Sequence, residues 1–144
     1  MIKNMTIETK ISKSHGSADS CCRLYSQSIK FSSAEIDAFQ FEMVLREALN
    51  NAVDHSGEKK SGQLIDITLK IDENLLELTI NDHGVGFDWR MKMEQIISPF
   101  LVNDKITGRG LFIINRYSDE INFNESGNIL TIKKIVAPRS GPKE

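Results

Sequence analysis

The sequence predicts an α+β fold, a two-layer sandwich with helices on one face of a mixed, mostly antiparallel sheet. Three observations carry that prediction. Two pairs of short stretches alternate apolar with polar residues, each pair joined by turn residues. One long stretch is apolar around most of a helical circumference. The elements run β-α-α-β-β, then α, loop, α-β-β, which segregates helices from strands instead of alternating them. At 144 residues the chain is long enough to bury one core. It reads as one domain over residues 1–137, with 138–144 a disordered tail.

The elements follow in order. Ile7, Thr9 and Ile11 alternate with polar residues, so residues 6–12 form a strand, placed at a sheet edge. Residues 14–17 read as a loop and 18–30 as a helix with Cys22, Tyr25 and Ile29 on one side. Ser32 followed by Glu35 is a capping-box signature ahead of an apolar run. It predicts a helix over residues 33–56, stopped by Gly57. Ile36, Phe39, Met43, Leu45, Ala48, Leu49, Ala52 and Val53 spread so widely around it that this is the nearly buried central helix. Ile65, Ile67, Leu69 and Ile71 then alternate with polar residues, as do Leu76, Leu78 and Ile80. Asp72-Glu73-Asn74 supplies the turn of that hairpin. A glycine loop, a short helix over 89–97, an irregular stretch 98–107 and a helix over 111–117 follow. In the short helix Trp89 sits with Met93 and Ile96 as core packing. A last hairpin pairs Ile121 and Phe123 with Leu130 and Ile132 through Ser126-Gly127-Asn128.

Composition excludes several classes. Apolar residues make up 40% and charged residues 26%, ordinary for a globular protein. A net charge of −2 argues against a nucleic-acid partner, which needs a basic surface. No apolar stretch approaches the roughly 20 residues of a membrane-spanning helix, and the N-terminus lacks a signal peptide's basic start and apolar core. Cys21 and Cys22 are adjacent, which suits neither an ordinary disulfide nor a C-x-x-C motif. They read as two small side chains on a helix in a reducing compartment, and the chain reads as cytoplasmic.

Three runs carry chemistry. Glu47, Asn51 and Asp54 fall at i, i+4 and i+7 on the central helix, within one stripe. Such a stripe is solvated on many helices. Here the rest of the helix is apolar, so the stripe faces a cleft. Asn50-Asn51 in mid-helix, where Asn is a poor helix former, also asks for a reason; holding Mg²⁺ through an amide oxygen is one. Asp82 follows a strand and precedes Gly84 and Gly86. That pattern is a tight turn in many proteins, or a carboxylate placed to accept from an exocyclic amine, with bare backbone beside a flat ring. Gly108-Arg109-Gly110 precedes Leu111 and an apolar run. It is either a flexible connector or a helix start whose free N–H groups suit phosphate oxygens. No Gly-Lys-Ser/Thr follows, so it is not a P-loop.

In this order, the three runs resemble the N, G1 and G2 boxes of the GHKL superfamily, which includes gyrase B-type ATPases, MutL and histidine-kinase catalytic domains. The resemblance covers roughly residues 6–134 and implies the Bergerat-type sandwich, with ATP and Mg²⁺ as cofactors. It implies Glu47 as catalytic base, Asn51 as Mg²⁺ ligand and Asp82 as adenine reader. Gly84 and Gly86 would line the base pocket, and Gly108, Arg109, Gly110 and Leu111 would lie by the phosphates. The phrase Glu47-Ala-Leu-Asn-Asn51-Ala-Val-Asp-His55, the run from Gly108 and the closing hairpin are most similar to bacterial anti-sigma factors that are serine-protein kinases. Arg23 is similar in place to an arginine those kinases set near the γ-phosphate. The lid over residues 98–105 is shorter and plainer than the family's, with Lys105 its only cation. His55 reads as a structural neighbour of the site, and His83 as pointing to solvent.

The resemblance implies an ATP-dependent serine/threonine protein kinase acting in partner switching. Its partners would be an anti-sigma-factor antagonist and a sigma factor, with a homodimer through a sheet edge or the exposed N-terminal strand. Two rivals stand beside it. A histidine-kinase catalytic domain shares much of the N box, although only His15, in a loop, precedes the central helix. A regulatory module that merely binds ATP would suit the plain lid, yet would not need Glu47.

Overall fold

The computed structural model describes residues 1–55, 63–86, 88–97 and 106–140. Its elements are β1 (Met5–Ser12), α1 (His15–Ser28), a 3-10 turn (Ile29–Phe31), β2 (Ala34–Glu35), α2 (Ala38–His55), β3 (Leu64–Ile71) and β4 (Leu75–Asn81). They continue with α3 (Trp89–Ile97), α4 (Ile106–Arg116), β5 (Glu120–Phe123), β6 (Ile129–Ile135) and β7 (Ala137–Pro138).

Five strands form one sheet in the order β1-β3-β4-β6-β5, with β1 at an edge as expected. Every pairing in it is antiparallel, in keeping with the mostly antiparallel sheet expected from the sequence. Alternation sorts the two faces. Ile65, Ile67, Leu69, Leu76, Leu78 and Ile80 are buried, while Asp66, Thr68, Glu77 and Thr79 between them stay partly exposed. The buried face meets Leu45, Ala48, Leu49 and Val53 of α2, Cys22 and Tyr25 of α1, and Leu111 and Ile114 of α4, in one apolar cluster. Each buried Val, Leu or Ile among them contributes about 1.5–3 kcal/mol by leaving water. Tyr25 also ties α1 to the sheet, since its hydroxyl donates to Thr9 Oγ1 at 2.9 Å. Cys21 and Cys22 are free and buried, and burial pushes their thiols up to about 12 and about 11. Among the described residues no helix is long and apolar enough to cross a membrane.

Both hairpins form where alternation puts them. In the first, the Asp72 carboxylate accepts the N–H groups of Asn74 and Leu75, both at 2.7 Å. Four boundaries differ from the sequence reading. Helix α1 begins at His15, because Ser14 caps it through the Ser17 N–H at 3.1 Å. The Ser32–Glu35 capping box does not form. The chain there is claimed by distant residues, with Ala34 opposite Pro138, Glu35 opposite Ala137 and the Arg139 N–H on the Ser33 carbonyl at 2.7 Å. Helix α2 opens instead at Asp37, whose carboxylate accepts the Gln40 N–H at 2.9 Å. Helix α4 starts at Ile106, five residues before the expected start, so Gly108 and Gly110 lie inside it. The expected tail begins within an ordered pairing, since Pro138 belongs to β7 and Arg139 Nε donates to the Ala34 carbonyl at 3.0 Å. Gly57 lies outside the described residues.

Candidate functional site

Helix α2 carries the first part of the site. Glu47 and Asn51 are half-buried, one turn apart, where α4 crosses. The crossing point on α4 is Gly110. A Cβ placed there would lie 2.9 Å from Glu47 Oε2 and 3.4 Å from both amide atoms of Asn51. The missing side chain is therefore what lets α4 pass closely over a polar pair. Asp54, the third residue of the predicted stripe, is not with them. It is exposed, 3.0 Å from His15 Nε2, and His15 Nδ1 is 3.0 Å from Asn50 Oδ1. His15 lies on α1 and not in a loop, and it gives Asn50 the partner that its place in mid-helix called for.

The second part is at the end of β4. Asp82 is only 6% exposed, and burial pushes its carboxyl above the usual carboxylate range against the opposing pull of the Gly84 N–H. That N–H reaches Asp82 Oδ1 at 2.6 Å. The buried Lys13 and the His83 and His55 rings also draw the Asp82 pKa down. Gly86 has φ +80°, and a Cβ on it would overlap the Ser126 carbonyl. The second glycine of this run is thus required by the approach of the β5–β6 turn; the sequence had suggested a flat ring. His83, at φ 56°, is exposed but not simply solvated. Its Nε2 is 2.6 Å from Asp66, which also holds Lys10 at 2.7 Å, and these two partners, Lys10 foremost, hold the Asp66 carboxyl below the usual range.

Asn51, His55, Ile80, Asp82, Phe123 and Asn128 line one narrow cleft of about 20 Å³. The structure therefore brings the α2 amide and the strand-end carboxylate to one place. Phe123 and Asn128 were missed by sequence reasoning; the run Ser126-Gly127-Asn128 signalled only a turn. Trp89 of α3 stacks on Phe123 with ring centroids 5.4 Å apart, and the Arg90 guanidinium lies 4.4 Å from the Trp89 ring centroid. A larger apolar cavity of about 230 Å³ lies toward the other end of α2, walled by Phe41, Val44, Leu76, Leu78 and Ile132. It is roomier than the cleft, which favours it as a ligand site on size, yet it holds none of the predicted polar groups.

The remaining predicted residues fall as follows. Leu111 is 1% exposed and belongs to the core. Gly108 and Arg109 lie in the first turn of α4, where backbone N–H groups have no partner within the helix. Lys105 and the lid 98–105 lie outside the described residues. Arg23 is exposed and pairs with Asp19 at 2.9 Å, a carboxylate that Arg46 also binds at 2.6 Å. Among the described residues no group of three or more His, Cys, Asp or Glu gathers as a metal cluster. A hard cation held by one or two protein oxygens and by phosphates does not need such a group, and the Asn51 amide oxygen beside Gly110 fits that pattern.

A one-sided antiparallel sandwich with a helix-borne Glu–Asn pair and a buried strand-end Asp defines a GHKL-type nucleotide-binding domain. Comparison with known proteins agrees: the sequence model of the histidine kinase-like ATPase domain matches residues 22–134, and the chain belongs to that family. It is 30% identical over 102 residues to the serine-protein kinase RsbW of Staphylococcus aureus (strain MRSA252), a match covering 66% of this chain and 64% of that protein. It is 28% identical over 106 residues to RsbW of Bacillus cereus (strain ATCC 10987), covering 69% and 65%. The chain thus spans a little under two thirds of these relatives.

Proposed function

We propose that this chain is an ATP-dependent serine/threonine protein kinase of the cytoplasm, acting as an anti-sigma factor or switch kinase. The observation that carries the reading is the crossing at Gly110, where the absence of a side chain leaves room beside a carboxylate and an amide. The similarity to RsbW supplies the substrate class. Glu47 takes the proton from an incoming hydroxyl as its oxygen attacks the γ-phosphorus and ADP leaves. Asn51 would hold Mg²⁺ through its amide oxygen, and the ion when bound would neutralise phosphate charge. Asp82 accepts from the exocyclic amine of adenine, and the first-turn N–H groups of α4, Gly108 and Arg109 among them, face phosphate oxygens.

The acceptor is a serine or threonine on a small antagonist of an anti-sigma factor. Phosphorylation adds about −1.5 to −2 charge there and parts the two proteins, which frees this chain to hold a sigma factor. The test is transfer from labelled ATP to candidate antagonists by the parent and by Glu47→Gln. The variant should bind ATP normally and transfer roughly a hundred- to ten-thousand-fold more slowly. Equal transfer by both proteins removes Glu47 as base. An acid-stable phosphate on the acceptor is expected; an acid-labile, alkali-stable one would mean phosphohistidine and a histidine-kinase function instead.

A further inference from the structure

We infer that Asn128 is a positioning residue that sets how Asp82 meets a purine base, so that the β5–β6 turn governs adenine discrimination. The inference rests on the nucleotide-binding reading above and deepens it. Asp82 lines the cleft, and its Oδ1 accepts the Gly84 N–H at 2.6 Å, a contact that restrains how the carboxylate can turn. Gly84 is held from its other side, since its carbonyl accepts Asn128 Nδ2 at 3.0 Å. The Asp82 N–H donates to the Asn128 carbonyl, also at 3.0 Å. Asn128 therefore grips the loop at both the residue that reads and the residue that orients it.

Asn128 is itself immobilised. Its Oδ1 accepts from Asn124 Nδ2 at 2.6 Å and from Ser126 Oγ at 3.0 Å. Asn124 Oδ1 in turn accepts the N–H groups of Gly127, Asn128 and Ile129, each at 3.0 Å. The opposite orientation of the Asn128 amide would set oxygen against the Gly84 carbonyl and nitrogen against Asn124 Nδ2, so the network itself selects this one. Gly86 against the Ser126 carbonyl closes the contact between loop and turn. With both ends of its amide engaged, Asn128 acts through Gly84 and Asp82. Because hydrogen bonds weaken steeply with misalignment, releasing Gly84 lets the carboxylate turn and blunts its preference for an amine.

The test compares ATP with inosine triphosphate, which carries a carbonyl in place of the 6-amino group, by calorimetry. The parent should favour ATP by roughly ten- to hundredfold, the worth of a hydrogen bond to a charged group. In Asn128→Ala that preference should shrink to within about threefold, mainly through weaker ATP binding. Asn128→Asp keeps an acceptor for Asn124 and Ser126, so the turn holds, but it offers Gly84 no proton; it should lose discrimination as well. A merely structural role would weaken both nucleotides alike, and an unchanged ratio in either folded variant overturns the inference. Asp82→Asn separates the two levels. If it leaves the ratio untouched, or the parent binds neither nucleotide, the nucleotide reading itself fails. If it collapses the ratio while the Asn128 variants do not, only the role of Asn128 fails.

Discussion

Gly86 and Gly110 stand in runs that look alike in sequence, yet they do opposite things. Gly86 sits in a loop at φ +80°, with no room for a Cβ against the Ser126 backbone. Neither constraint can relax, because a backbone carbonyl inside a hydrogen-bonded turn is a rigid neighbour. Gly110 sits inside α4 with ordinary helical geometry, and its near neighbours are the ends of two side chains, Glu47 and Asn51. Those can move. One glycine is there for the fold, and the other is there for the polar pair beneath it.

Substitution should separate them. Gly86→Ala is expected to have the largest effect, a stability loss of more than about 3 kcal/mol from combined strain and overlap, read by denaturant unfolding. A variant as stable as the parent would mean that loop and turn do not meet as described. Gly110→Ala should behave in reverse. Alanine improves helix propensity by about 1 kcal/mol, so unfolding should change little. The methyl would push the Glu47 carboxylate aside, and misplacement of that kind costs on the order of a hundredfold in rate. Single-turnover transfer beside a melting curve distinguishes this from simple destabilisation. Asp82→Asn comes next, with ATP affinity reduced by about 1.5–3 kcal/mol and the apo protein no less stable. The amide oxygen can still accept the Gly84 N–H, and a buried charge has been removed.

Acidification gives the smallest effects and divides the same regions. Burial raises the Asp82 pKa, so ATP binding should weaken as pH falls through that raised value, earlier than for an exposed carboxylate. In the apo protein the sign is reversed. Between its unfolded and folded pKa values Asp82 is protonated only when folded, so its contribution to stability declines as pH rises across that interval. Asp19, lowered first by the Arg46 hydrogen bond, and Asp66, lowered first by Lys10, behave in the opposite way. Their contribution is present above the ordinary carboxylate pKa and lost as pH falls through the lowered values. Acid titration of Asp66→Asn against the parent should show two stability curves that converge at low pH.

The sequence by itself determined the periodic elements and the chemical types at the site. Alternation placed both hairpins, because a residue's face in a strand depends only on its neighbours two positions away. The spacing of Glu47 and Asn51, the carboxylate after β4 and the glycine runs were legible for the same local reason. Only the tertiary structure decided where the chain meets distant partners. Ser32 and Glu35 carry a good capping signal, yet residues more than 100 positions on take that backbone into a strand pair, and Asp37 starts the helix. The Ser14 cap puts His15 on α1, but only the packing of α2 beside it brought Asn50 and Asp54 to its ring. Asn128 read as a turn residue until β6 beside β4 put it against Gly84. A periodic pattern states which face a residue shows, and the packing of one element on another decides what that face touches.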